Sequence, residues 1–152
     1  MPRFIIAYNS TTGNTKALAE AIAEGARSLK LGVDLVDAFD VKAEDLMAAD
    51  AIGFGGGTFN YHPSKPVLKL IDDFNGKDVK GKLAVSFGSY GWSGEGPVVF
   101  AEKLREIGFT VLDPVIRVRY QPTENELFGC SLLGKDVATR LKHIKKTANL
   151  NV

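Results

Sequence analysis

Cysteine is almost absent from this 152-residue chain: Cys130 stands alone, which excludes an internal disulfide and any site built from several thiolates. With no base beside it in sequence, it reads as a small buried hydrophobe. Histidine is nearly as scarce. His62 and His143 lie far apart in sequence, so each is read as a surface residue rather than a ligand. Neither sign of charge is in excess, and a formal net charge of +1 announces no nucleic-acid face and no acidic tail. The basic residues Lys135, Arg140, Lys142, Lys145 and Lys146 near the end suit a solvated helix face. Long apolar runs are missing too, and Met1-Pro2-Arg3 leads directly into a short strand without a secretory pattern. A cytoplasmic protein that does not bind membranes is expected. No general base, nucleophile or metal cluster stands out, so neither catalytic residues nor metal ligands are assigned.

What is present is ordinary in bulk: 45% hydrophobic and 24% charged residues suit a globular protein. The length fits one domain, residues 1–152, with a sizeable core. Short apolar runs at Phe4–Ala7, Ala51–Gly55 and Leu83–Phe87 and the alternating stretch Val33–Asp37 predict strands, and a fifth strand region runs from Phe109 to Tyr120 across Asp113-Pro114. In its second half Ile116, Val118 and Tyr120 face one way and Arg117 and Arg119 the other, as on an edge strand. Between the strands, helices are predicted from Lys16 to Leu29, weakly over Ala43–Ala48, and where Val67, Leu70, Ile71 and Phe74 form one apolar face. Another carries Phe100, Leu104 and Ile107. The last carries Val137, Leu141 and Ile144 behind a capping box of Thr123 and Glu126. Strand and helix alternate five times, which predicts a parallel sheet with helices on both faces. Ligands of such sheets sit beyond the carboxyl ends of the strands.

Three unusual loops follow strands and would gather at that edge. The first, Ser10-Thr11-Thr12-Gly13-Asn14-Thr15, joins a strand to a helix start. Free N–H groups, together with the hydroxyls of Ser10, Thr11, Thr12 and Thr15, make a phosphate site there, and Gly13 lets the backbone curl around the anion. It lacks the Gly-Lys of a Walker loop and the three glycines of a dinucleotide fingerprint. A plain helix-capping turn is the alternative. Gly76-Lys77-Asp78-Val79-Lys80-Gly81-Lys82 approaches a Walker loop but precedes a strand, and reads as a turn. The second loop, Gly56 to Tyr61, and the third, Gly88 to Gly94, bring the aromatics Phe59, Tyr61, Tyr90 and Trp92. A ligand with a phosphate at one end and a flat ring at the other would use all three loops. Tyr90 and Trp92 as ordinary core or surface aromatics remain the alternative.

These loops resemble those of the flavodoxin family. Ser10 to Thr15 matches its Ser/Thr-x-Thr-Gly-x-Thr loop for the phosphate of flavin mononucleotide (FMN). Gly88-Ser89-Tyr90-Gly91-Trp92 matches the third loop of short-chain flavodoxins, and with Ser93-Gly94-Glu95 it resembles the flavodoxin domain of A-type flavoproteins, the flavo-diiron proteins. The resemblance implies a three-layer α/β/α sandwich with a five-stranded parallel sheet in the order 2-1-3-4-5. It implies phosphate contacts from Ser10, Thr11, Thr12, Gly13, Asn14 and Thr15. Thr58, Phe59, Asn60 and Tyr61 would lie along the flavin ring, with Ser89, Tyr90, Gly91, Trp92 and Gly94 forming the opposite wall. Phe59 and Asn60 stand where flavodoxins often carry Trp or Met and Gly. Many flavodoxins are strongly acidic, and this chain is not. The function implied is a low-potential carrier of one or two electrons, a monomer serving redox partner proteins. An FMN-dependent NAD(P)H or quinone reductase is the alternative on the same fold. A receiver-type signalling domain is rejected, because Tyr8-Asn9 and Gly53 to Gly57 replace its acidic residues.

Overall fold

The computed structural model describes residues 3–59, 62–91 and 94–150. Its centre is a parallel sheet of β1 (Arg3–Asn9), β2 (Gly32–Asp37), β3 (Ala51–Gly56) and β6 (Leu83–Tyr90), in the order β2-β1-β3-β6. The fifth strand is split into β7 (Thr110–Val111) and β8 (Ile116–Arg119), which pair with β6 on its outer side. The break falls at Asp113-Pro114, where a proline has no N–H for the ladder. With the two pieces counted as one strand, the order is the expected 2-1-3-4-5.

Burial follows from the pleat. In β1, Phe4 and Ile6 face one layer while Ile5 and Ala7 face the other, and all four are buried. Strands covered on both faces read as continuous apolar runs, which is why β3 is buried along its whole length. One layer is made by α1 (Asn14–Ser28) and α5 (Glu124–Leu150), with Leu18, Ile22, Leu133 and Val137 closing over Phe4 and Ile6. On the opposite face lie α2 (Ala43–Leu46), α3 (Lys65–Asp72) and α4 (Glu95–Ile107). There Phe54, Phe74 and Phe109 meet edge to face, with ring centroids 5.3–5.9 Å apart.

Several boundaries differ from the sequence reading. The helix over 16–29 begins two residues earlier, at Asn14. β6 continues to Tyr90, so Gly88-Ser89-Tyr90 is strand rather than loop, because Phe87 to Tyr90 pairs with Ile116 to Arg119. The second loop holds a small hairpin of β4 (Thr58–Phe59) and β5 (His62–Pro63), and Thr58 also pairs with Tyr90. The capping box forms as expected: Thr123 N–H donates to Glu126 Oε1 at 3.0 Å and Glu126 N–H to Thr123 Oγ1 at 3.2 Å. Gly76 and Gly81 lie in surface turns, as expected of the Walker-like stretch. The side chain of Ile144 lies outside the described residues.

Candidate functional site

The carboxyl ends of β1 and β6, with Thr58 of β4, converge on one cavity of about 520 Å³. Its floor is the turn from β1 into α1. Gly13 sits just ahead of the helix at φ 88°, a conformation that costs a residue with Cβ. Ser10 organises this turn, its Oγ accepting from Gly13 N–H at 3.1 Å and Lys16 N–H at 3.3 Å. Because Oγ accepts from within the turn, its own proton is left to donate outward. Thr12 Oγ1 accepts weakly from Asn14 N–H at 3.4 Å, and Thr11 and Thr12 are exposed. Gly13 at the N-cap has no side chain to offer, and with Lys16 N–H on Ser10 and Asn14 N–H only weakly on Thr12, the Thr15 N–H is left without a partner at the positive end of the helix dipole.

The loops are tied to one another by buried hydroxyls. Thr15 Oγ1 lies 3.1 Å from Ser89 Oγ and accepts from Ser89 N–H at 3.3 Å, joining α1 to the end of β6. Thr58 Oγ1 accepts from Gly96 N–H at 2.9 Å, joining the second loop to the start of α4. Asn9 Oδ1 accepts from Ser64 Oγ at 3.2 Å. None of the buried side-chain polar atoms among the described residues lacks a partner. The walls therefore hold their shape before any ligand arrives.

Of the residues singled out in the sequence, Ser10, Thr11, Thr12, Asn14, Thr15, Thr58, Ser89, Tyr90 and Gly91 line this one cavity. Gly13 shapes the turn without lining it. Gly94 precedes α4 and also stands off the wall; a Cβ there would lie 2.9 Å from the Tyr90 ring. Asn60, Tyr61 and Trp92 lie outside the described residues, as does the side chain of Phe59. Two lining residues escaped the sequence reading. Asn9 is the polar last residue of an apolar strand, a signal that could have found it. Tyr120 was expected to face the same way as Val118. Instead it turns to φ 58°, donates its N–H to Tyr90 O at 2.7 Å and joins the wall. The Arg119 guanidinium lies 5.4 Å from its ring centroid.

Among the described residues, the cavity lining contains no charged side chain. A doubly charged phosphate would be met there by amides, hydroxyls and a helix N-terminus, which fits the donor set. Tyr90 and Tyr120 give the same cavity an aromatic side for a flat ring. Cys130 is elsewhere, buried between α5 and α1 in the core. Burial, and then the nearby Glu126 carboxylate, push its thiol up to about 12, so it stays protonated and unreactive.

An open parallel sheet in this order, with a hydroxyl-rich turn leading from its first strand into its first helix, is the flavodoxin-like α/β arrangement. The chain belongs to the flavodoxin family, whose model matches residues 6–134. It superimposes on a flavodoxin from the domain Archaea with a TM-score of 0.83 and 43% identity, covering 93% of this chain and 99% of that one. The flavodiiron core of Flv1 from Synechocystis sp. PCC6803 gives a TM-score of 0.86 at 31% identity, over 94% of this chain and 36% of that one. The coenzyme F420H(2) oxidase of Methanocaldococcus jannaschii is 35% identical over 152 residues, 93% of this chain and 36% of the oxidase. The chain spans only about a quarter to a third of the length of the curated relatives it matches, 24% for a diflavin flavoprotein of Synechocystis sp. and 36% for the oxidase. No helix among the described residues is long and apolar enough to cross a membrane.

Proposed function

We propose that this chain works as a one- or two-electron carrier at low potential, holding FMN non-covalently and exchanging electrons with separate redox proteins. The observation that carries this reading is the uncharged, preformed cradle at the start of α1 facing Tyr90 and Tyr120 across one cavity. FMN supplies reversible uptake of electrons and protons at its ring; the protein supplies position and electrostatics. In this reading the hydroxyls of Ser10, Thr11, Thr12 and Thr15 and the N–H groups from Gly13 to Thr15 hold the phosphate. Asn14 completes the cradle. Thr58, Phe59, Asn60 and Tyr61 pass along one side of the ring, and Ser89, Tyr90, Gly91, Trp92 and Gly94 form the other. Tyr120 extends that second wall. Added negative charge on a flavin ring walled by Tyr90 and Tyr120, with no charged side chain among the described lining residues, would be disfavoured, which supports a low potential. A cytoplasmic setting is supported by a lone cysteine that has no disulfide partner.

A second reading, an FMN-dependent NAD(P)H or quinone reductase, draws support from the oxidase among the relatives. The two readings separate in one cuvette. The carrier binds FMN with a shifted visible spectrum and quenched flavin fluorescence. Once loaded, it consumes NADPH only when a separate reductase is added. Steady NADPH oxidation by the loaded chain alone would establish the reductase, and a chain that stays colourless with FMN would remove both readings.

A further inference from the structure

Tyr120 holds a backbone conformation that a tyrosine adopts only under strain. Its φ of 58° lies in the left-handed region, where Cβ crowds the neighbouring backbone. The turn itself is needed. Tyr120 N–H donates to Tyr90 O at 2.7 Å, at the end of the ladder between β6 and β8, and the chain then reaches Thr123 and the capping box of α5. Glycine or asparagine would make the same turn with less strain. The fold thus accounts for the turn and not for the tyrosine.

Packing does not account for it either. Tyr120 is 56% exposed, so its ring adds little to the core. Two features hold the ring in place. A Cβ on Gly91 would lie 3.1 Å from Tyr120 Cε1, so the third loop is bare backbone where the ring rests. The Arg119 guanidinium stands over the ring, and Arg119 does not line the cofactor cavity whereas Tyr120 does. The cation therefore steadies the ring from outside the lining. Residues held in such strained conformations gather where a ligand is gripped. We propose that Tyr120 sets the affinity of the site for the flavin ring, which its side chain contacts, and that Arg119 is a positioning residue acting through it. This rests on the FMN-binding reading above and deepens it: Tyr120 stabilises the complex while its backbone destabilises the apo-protein.

The test uses the full chain and separates ring from backbone. Tyr120→Phe keeps the ring, and Tyr120→Asn removes it while suiting the left-handed turn. By fluorescence titration, Tyr120→Asn should bind FMN about tenfold more weakly and Tyr120→Phe within about twofold of the parent. Riboflavin should lose the same factor, because both ligands carry the ring. Without FMN, Tyr120→Asn should unfold at a urea concentration no lower than the parent. Arg119→Gln should weaken FMN by about threefold and Arg119→Lys should restore it, while Arg119→Gln added to Tyr120→Asn should change nothing further. FMN should also shield Tyr120 from nitration by tetranitromethane, read by peptide mass spectrometry, and leave Tyr8, which does not line the cavity, unchanged. Equal FMN affinity in the parent and Tyr120→Asn would overturn the proposal, as would a loss seen with FMN and not with riboflavin. A less stable apo-form in Tyr120→Asn would assign the tyrosine to the fold instead. An additive effect of Arg119→Gln in the Tyr120→Asn background would overturn the role of Arg119. No FMN uptake by the parent would remove the FMN-binding reading and this role together; like uptake by parent and every variant would remove this role alone.

Discussion

Thr15 shows how one side chain serves two structures. Its backbone belongs to the first turn of α1, yet its hydroxyl is buried against Ser89 at the end of β6, 74 positions along the chain. The residue thereby ties the start of α1 to the end of β6, the two sides of the proposed cofactor site. Thr15→Val keeps the shape and removes the hydroxyl, leaving Ser89 N–H without its acceptor. FMN affinity should fall by about 1–3 kcal/mol, the range for a lost hydrogen bond near a charged group plus an unsatisfied buried donor. Flavin fluorescence quenching during titration reads this directly. An unchanged dissociation constant would show that Thr15 only pins the strand. The same pairing explains why Thr15 could be chosen from sequence for its place in the loop, while its partner Ser89 was chosen for a different reason.

Among the elements, the packing of α1 against α5 depends on side chains that are missing. A Cβ on Gly134 would lie 1.9 Å from Ile22 O, and one on Gly25 would lie 2.0 Å from Ser131 O. The two helices touch backbone to backbone. Glycine costs about 1 kcal/mol against alanine inside a helix, so close approach must be worth more than that here. Gly129 lies in the same helix with nothing within 4 Å of its added Cβ. Gly129→Ala should therefore stabilise the protein by about 1 kcal/mol through helix propensity alone. Gly134→Ala should destabilise it by about 1–3 kcal/mol, because overpacking against rigid backbone outweighs the same propensity gain. Urea melts of the two variants settle the contrast, and equal shifts would mean that the helices can separate at no cost.

At the scale of the whole chain, the proposed carrier receives its cofactor at the carboxyl edge of the sheet. Since FMN binds the folded frame and not the unfolded chain, it should raise unfolding free energy by about 2.7 kcal/mol when free FMN stands at 100 times its dissociation constant. Riboflavin at the same concentration should give much less, because the cradle at α1 then has no anion to hold. Chemical denaturation with each ligand, and after removal of FMN, measures the difference. Equal protection by both would place the binding energy in the ring wall and not in the cradle.

The alternation of strand and helix was legible in the residues alone, since a run buried on both faces and an amphipathic stripe have different periods. The turn from β1 into α1 was legible there too, because it is local: the hydroxyls of Ser10 and Thr12 accept from N–H groups within six residues of Ser10. What lies opposite depended on long-range pairing. Ladder pairing with β8 extended β6 to Tyr90, and a left-handed backbone at Tyr120 turned an apparent edge residue into part of the wall. Local backbone chemistry is written in neighbouring residues; a surface shared by distant segments exists only once long-range pairing has fixed their separation.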